Sequence, residues 1–407
     1  SLFLIFMSTC LNAQDRADYK YLNMSSSPFK VDESYLSKHD IVYFSPTQLE
    51  AEGFPMGNGN IGGMIWNNDN GIELQINKND LWSKPDKEEN DLSVLKHAAR
   101  LKIDFGIPVF SWIHLKNFEG RLSLQKGETT YKAATPYSTT TIRTWLAHDR
   151  NVWILECENL PNEELTGAEQ KATVSLERLG SRSFSGWYAG RFPEDPKIGI
   201  GKTQSLLNGN DMIIEENGDG LHFAVACRII KEPASPVIIN SHRMEQKTVK
   251  NKFTVLISVV TDRENKAPVE AARRLLDEAE TDGIEQLKAD KDNWYKNFWS
   301  NAFMKSGDDY LENIYYLRRY LMAAGSQGEF PVAFNGGLWR WNRDVMNWVT
   351  PHHWNTQQQY WGLCAQNDCQ LMAPYLDTYF KMIPSGETLA KEYGASEEEV
   401  RNDIEKA

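Results

Sequence analysis

Between about Tyr43 and Asp262 the chain reads as short apolar–polar alternations separated by turn residues. Gly71-Ile72-Glu73-Leu74-Gln75-Ile76-Asn77 alternates with a period of two, the pattern of a half-buried strand. Residues 139–146 and 151–158 predict a strand pair joined around His148-Asp149-Arg150-Asn151. Residues 171–177, 221–230 and 253–261 repeat the theme, the last ending in a β-branched run. Leu207-Asn208-Gly209-Asn210-Asp211 and Glu216-Asn217-Gly218-Asp219-Gly220 bracket a further strand with strong turn chemistry. Many strands at this spacing over more than 200 residues predict a large antiparallel β-sandwich.

After Asp262 the period changes. Residues 268–299 place Ala271, Ala272, Leu275, Leu276, Ile284, Leu287, Trp294 and Phe298 at helical spacing, and 308–324 continue it with Leu311, Ile314, Leu317 and Leu321. Residues 354–382 predict one long helix with Gln357, Gln358 and Gln359 near its start, and 396–407 a charged helix. Strands followed by helices, segregated in sequence, predict two packed units rather than an alternating α/β sheet. The expected divisions are residues 1–14, 15–265, 266–305 (a helical linker) and 306–407.

Composition narrows the class. With 407 residues, 41% hydrophobic and 25% charged, the chain is a globular protein of two or three cores. A net charge of -12 speaks against nucleic acid or anionic membrane as partner, since both attract Lys and Arg clusters. Thirteen Trp suit the flat faces of sugars as well as they suit cores. Residues 1–10 form an apolar run too short to span a bilayer. The run reads as the tail of a signal peptide cleaved near Asn12-Ala13-Gln14, which predicts a secreted, periplasmic or cell-surface protein without a membrane span. Met7-Ser8-Thr9-Cys10 departs from a lipobox, and Cys10 is where a lipid anchor would attach. The start at Ser1, without Met or a basic segment, reads as an N-terminal clip.

Cys157 and Cys227 fall in strands as buried thiols, whereas Cys364 and Cys369 lack zinc spacing. His352-His353 has no acidic or Cys partner at ligand spacing, so neither metal nor cofactor is expected.

Two segments resemble glycoside hydrolase family 95, the α-L-fucosidase-like enzymes, and their relatives. The first is Gly53-Phe54-Pro55-Met56-Gly57-Asn58-Gly59-Asn60-Ile61-Gly62-Gly63-Met64-Ile65-Trp66 with Ile72-Glu73-Leu74-Gln75-Ile76-Asn77-Lys78-Asn79-Asp80-Leu81-Trp82-Ser83. The second is Asn335-Gly336-Gly337-Leu338-Trp339 with His352-His353-Trp354-Asn355-Thr356-Gln357-Gln358-Gln359-Tyr360-Trp361. The resemblance implies a β-sandwich, a helical linker and the first helices of an (α/α)6 barrel, with the second segment facing the substrate. The glycines of the first segment read as a tight turn entering a strand. A phosphate cradle does not fit, because no helix with Lys or Ser/Thr follows.

The resemblance further implies inverting hydrolysis, in which an acid protonates the leaving oxygen and a water held by an Asn-x-Asn pair attacks the opposite face. Asn355 matches the second Asn, and His353 stands where the first would be. A neutral imidazole accepts a proton as an amide oxygen accepts a hydrogen bond, so both are candidate catalytic residues. The alternative for this pair is capping of the helix that starts here. Trp339, Trp341, Asp344, His352, Trp354, Gln357 and Trp361 are candidate substrate-binding residues. Asp344 would bind sugar hydroxyls or pair with Arg343 or Arg340.

The family's acid and base lie far downstream of the Asn pair, and Glu387, Glu392 and Glu397 to Glu399 sit in a polar stretch that suits neither role. The expectation is a fragment whose catalytic pair lies beyond Ala407, so that this chain alone is inactive. The expected activity of the whole protein is hydrolysis of a terminal sugar from an oligosaccharide or polysaccharide. The alternatives are a non-catalytic glycan-binding protein of the same fold and a phosphorylase of related layout.

Overall fold

The computed structural model describes residues 33–83, 92–162, 171–180, 202–218, 220–333, 336–339, 343–348 and 353–392. In chain order the strands are β1 (Ile41–Tyr43), β2 (Phe54–Gly57), β3 (Ile61–Asn68), β4 (Gly71–Lys78), β5 (Trp82–Ser83), β6 (Leu92–Leu95), β7 (Ala99–Asp104), β8 (Asn117–Ser123), β9 (Glu128–Ala134) and β10 (Ser138–Leu146). They continue as β11 (Val152–Pro161), β12 (Thr173–Glu177), β13 (Thr203–Asn208), β14 (Asp211–Gly218), β15 (Leu221–Ile229), β16 (Val237–Asn240), β17 (Arg243–Lys247), β18 (Lys252–Thr261) and β19 (Val345–Trp348). The main helices are α1 (Pro268–Asp282), α2 (Ile284–Ser300), α3 (Asp309–Gly325), α4 (His353–Tyr360) and α5 (Ala373–Glu392).

The fold is a large antiparallel β-sandwich followed by helices. A nine-stranded sheet in the order β1-β8-β9-β10-β11-β18-β15-β14-β13 faces a seven-stranded sheet ordered β16-β17-β12-β7-β4-β3-β2, and β19-β6-β5 form a small third sheet. Ile65, Leu74, Leu101 and Val174 from the smaller sheet meet Tyr131, Ile142, Leu155 and Val255 from the larger in one core. The predicted turns hold: Ala147 N–H donates to the Val152 carbonyl across the β10–β11 connection, and Gly209 takes φ +61° between β13 and β14.

Helix α1 covers the other face of the nine-stranded sheet, where Ala271, Ala272, Leu276 and Ala279 pack on Trp145, Ile154, Ala226 and Leu256. This explains the unbroken apolar run of β18. Its residues are buried on both faces of the sheet, so polar alternation has no place there. The stretch expected to be a linker is therefore partly a layer of the sandwich.

Two helical expectations change. Residues 268–299 form two helices, broken at Gly283, whose φ of +88° is open to glycine at no steric cost. Residues 354–382 do not form one helix; α4 ends at Tyr360, and a turn and a short 3-10 segment, Cys369–Met372, precede α5. The cause is Asp368. Its carboxylate accepts from Arg319 Nε and Nη2, both at 2.7 Å, with both side chains fully buried, and the chain leaves the helix through Asn367 at φ +59° to deliver it. Helix α3 begins as its sequence suggests: the Asp308 carboxylate caps the Tyr310 and Leu311 amides. The predicted helix at 396–407 lies outside the described residues.

Candidate functional site

The glycine- and asparagine-rich hairpin between β2 and β3 forms the joint between the sandwich and the helical region. Gly59 N–H donates to the Ala324 carbonyl at 2.7 Å, and Asn79 Nδ2 donates to the carbonyls of Gly59 (2.6 Å) and Gly325 (3.0 Å). Asn58 Nδ2 bonds the carbonyls of Ala147 and Arg150, while its Oδ1 accepts from Asn60 and Ile61. Backbone approach is close enough to exclude side chains. A Cβ on Gly57 would lie 2.3 Å from the Ala324 oxygen, and one on Gly59, at φ +88°, 2.4 Å from the Gln327 nitrogen. The two family-like segments also touch: Asn77 Nδ2 donates to the Leu338 carbonyl (2.8 Å) and Trp339 Nε1 to that of Met56 (2.8 Å).

A buried charge cluster fixes the next stretch of chain. Asp344, 2% exposed, accepts from Arg178 Nη1 and Nη2 at 2.7 Å each and from the His97 amide at 2.8 Å. Arg178 also donates to Glu216 (3.0 Å), which Lys96 meets at 3.1 Å. Burial alone would lower the Lys96 ammonium, yet Asp344 and Glu216 hold it above its ordinary value. Burial drives the His97 imidazole well below its ordinary pKa, and Arg178, Arg100 and Arg343 push it the same way. Its two ring nitrogens are buried without a hydrogen-bond partner among the described residues.

Beyond this anchor, α4 separates into two faces. Thr356 and Tyr360 point inward, the Tyr360 hydroxyl meeting Ser326 Oγ (2.6 Å) and the Val332 amide (2.9 Å). Trp354 and Trp361, 54% and 57% exposed, stand edge-to-face with centroids 5.5 Å apart, and exposed Gln358 lies between them in sequence. Asn355 and Gln357 flank them, both half-buried. Asn355 lies inside α4, and its amide makes no hydrogen bond with the described residues, so the capping alternative has no geometric support. The arrangement offers two indole faces and open amide groups to solvent, which is the chemistry that stacks on sugar C–H faces and bonds their hydroxyls.

Of the other candidates, Trp339 serves the joint and Asp344 the charge cluster, paired with Arg178 rather than Arg343. Trp341 and His352 lie outside the described residues, and His353 is placed by its backbone as the first residue of α4. Lys96, His97, Arg178 and Glu216 escape sequence reasoning, because each comes from a different part of the sandwich and no local spacing links them. Among the described residues no group of His, Cys, Asp and Glu is arranged to hold a metal ion, and no helix is long and apolar enough to cross a membrane.

Residues 42–179 match the family model of an N-terminal domain of unknown function, DUF5703. No curated protein sequence matches the chain. Among solved structures, a putative kojibiose phosphorylase from the human microbiome is similar at 13% identity and TM-score 0.49, over 76% of this chain and 45% of that one. A bacterial glucoamylase complexed with acarbose aligns at 10% identity and TM-score 0.34, over 70% and 44%. A GH92 α-mannosidase from Bacteroides thetaiotaomicron aligns at 11% and 0.28, over 70% and 38%. The chain thus spans less than half the length of these carbohydrate-active enzymes. The α-L-fucosidase resemblance is not among what they show, and likeness at this level carries no inference about substrate or mechanism.

Proposed function

We propose that the chain is the sandwich and leading helical portion of a secreted or cell-surface glycoside hydrolase that removes a terminal sugar by inversion. In this reading Asn355 helps hold the attacking water, His353 assists it, and Trp354, Gln357 and Trp361 seat the sugar. The observation that carries it is the outward face of α4, where two exposed indoles adjoin an Asn amide without a partner among the described residues. The sequence resemblance to α-L-fucosidase-like enzymes through the same residues supports it.

A panel of aryl glycosides, α-L-fucoside included, tests the reading on the full-length protein. Asn355→Ala is expected to lower kcat/KM by about 10²–10⁴-fold, the range for a residue assisting proton transfer in the transition state. Unchanged turnover removes Asn355 from the mechanism.

A non-catalytic glycan-binding protein is the second reading, and one observation favours it. The carboxylates nearest Asn355 in sequence, Asp344 and Asp368, are both buried in arginine pairs. Glycan-array binding with no product released by the full-length protein would select it.

A further inference from the structure

The seven-stranded sheet carries a polar surface remote in sequence from α4. Strand alternation turns Glu73, Lys102, Ser175 and Glu245 to one side as neighbours in register, with Arg100, Glu177 and Arg243 in the adjacent row. Together Glu73, Arg100, Lys102, Ser175, Glu177 and Arg243 line a shallow pocket of about 230 Å³. That is below the ~300–1,000 Å³ of sites that enclose drug-sized ligands, and it is on the scale of one sugar unit lying on an open face.

A solvated sheet face is normally polar, so polarity alone means little here. The pairing is what differs. The lining holds three cations against two carboxylates, in a protein whose net charge is -12. Several of the ion contacts are long: Arg100 to Glu73 and to Glu50 at 3.3 Å, and Lys102 to Asp104 at 3.6 Å. The Arg100 Nε is buried without a hydrogen-bond partner among the described residues, and its guanidinium lies over the Trp66 ring at 5.2 Å, which fixes its plane before any ligand arrives. Arg243 is turned toward Glu245 through Nη2 (2.6 Å) and Nε (3.1 Å).

We propose that this face is a second glycan-binding site, separate from α4, that takes sugars bearing a carboxylate or sulfate group. Arg100, Lys102 and Arg243 receive the anionic group, for which guanidinium forks are shaped. Glu73 and Glu177 accept hydrogen bonds from ring hydroxyls. The interleaved carboxylates repel densely charged chains such as nucleic acid, which a purely basic patch would attract. The site does not depend on α4 being catalytic.

Isothermal titration of the full chain with polygalacturonate oligosaccharides, chondroitin sulfate oligosaccharides, neutral maltooligosaccharides and a DNA duplex tests it. Binding is expected for one or both acidic glycans, and which one binds tells carboxylate from sulfate. Lys102→Ala with Arg243→Ala, both side chains about 40% exposed in the fold, should weaken binding about tenfold or more, the worth of a lost charge-assisted hydrogen bond. Glu177→Ala discriminates further: loss of a hydroxyl acceptor weakens sugar binding, whereas a merely Coulombic surface binds more tightly without that carboxylate. Absence of acidic-glycan binding, unchanged affinity in the double variant, tighter binding of Glu177→Ala, or equal affinity for DNA would each overturn the proposal.

Discussion

The β2–β3 hairpin and the outer face of α4 both stand out in the sequence by dense repetition of unusual residues, and they end in opposite surroundings. In the hairpin Asn58, Asn60 and Asn79 are engaged with main-chain groups of the sandwich or of residues 325–329. On α4 the Asn355 amide has no partner among the described residues and the neighbouring indoles face solvent. Buried polar groups must be satisfied by the fold, so the hairpin amides are committed to holding two parts of the chain together. An amide that the fold leaves open remains able to bind something else. Partner identity, rather than residue type, separates a joint from a site.

The comparison breaks most readily at the charge cluster that links the two regions. Removing one partner of a buried ion pair leaves the other charge stranded, and Asp344→Ala is expected to cost about 3–5 kcal/mol. A shift in the urea midpoint at constant slope measures it. A cost below about 1 kcal/mol would mean that Arg178 and Lys96 are satisfied without Asp344, and that the chain leading to α4 is not anchored here.

The hairpin offers a smaller effect with an internal control. Gly59→Ala imposes positive φ on a side chain and also drives its Cβ into the Gln327 amide, for an expected cost of about 2–3 kcal/mol. Gly209 has φ +61°, and a Cβ there would meet nothing within 4 Å, so Gly209→Ala should cost only the backbone term of about 1–2 kcal/mol. Equal midpoint shifts for the two variants would show that close approach to the helical region is not what the hairpin glycine serves.

The sandwich is legible in the sequence because its signal is local: period-two alternation, Asn-Gly turns and strands of ordinary length all act within ten residues. The same holds for α3, whose Asp308 cap adjoins the apolar spacing it starts. What escapes has long-range causes. The helix expected at 354–382 is interrupted for a pair, Arg319 with Asp368, between residues 49 apart. Asp344 stands out in the sequence, but its partner Arg178 lies 166 residues away, so sequence proximity points to Arg343 and Arg340 instead. The hairpin reads as a tight turn, and nothing near it in sequence shows that residues 324–328 sit against it. For α4 the aromatic and amide residues are all visible in the sequence, while their separation into an inner face with Tyr360 and an outer face with Trp354 and Trp361 needs the fold.

The smallest expected change is the most decisive for that outer face. Asn355→Ala removes, from a half-exposed position, an amide that makes no hydrogen bond with the described residues. It also places the best helix former inside α4. Surface substitutions free of any such structural role fall within about ±0.5 kcal/mol, and the urea midpoint of Asn355→Ala should match that of the parent to this extent. Stability and turnover then separate: the variant stays folded while the reaction fails. A cost above about 1 kcal/mol would mean that Asn355 is held by the protein after all. In that case α4 is a second joint, its open amide is fully accounted for by folding, and the contrast with the β2–β3 hairpin disappears.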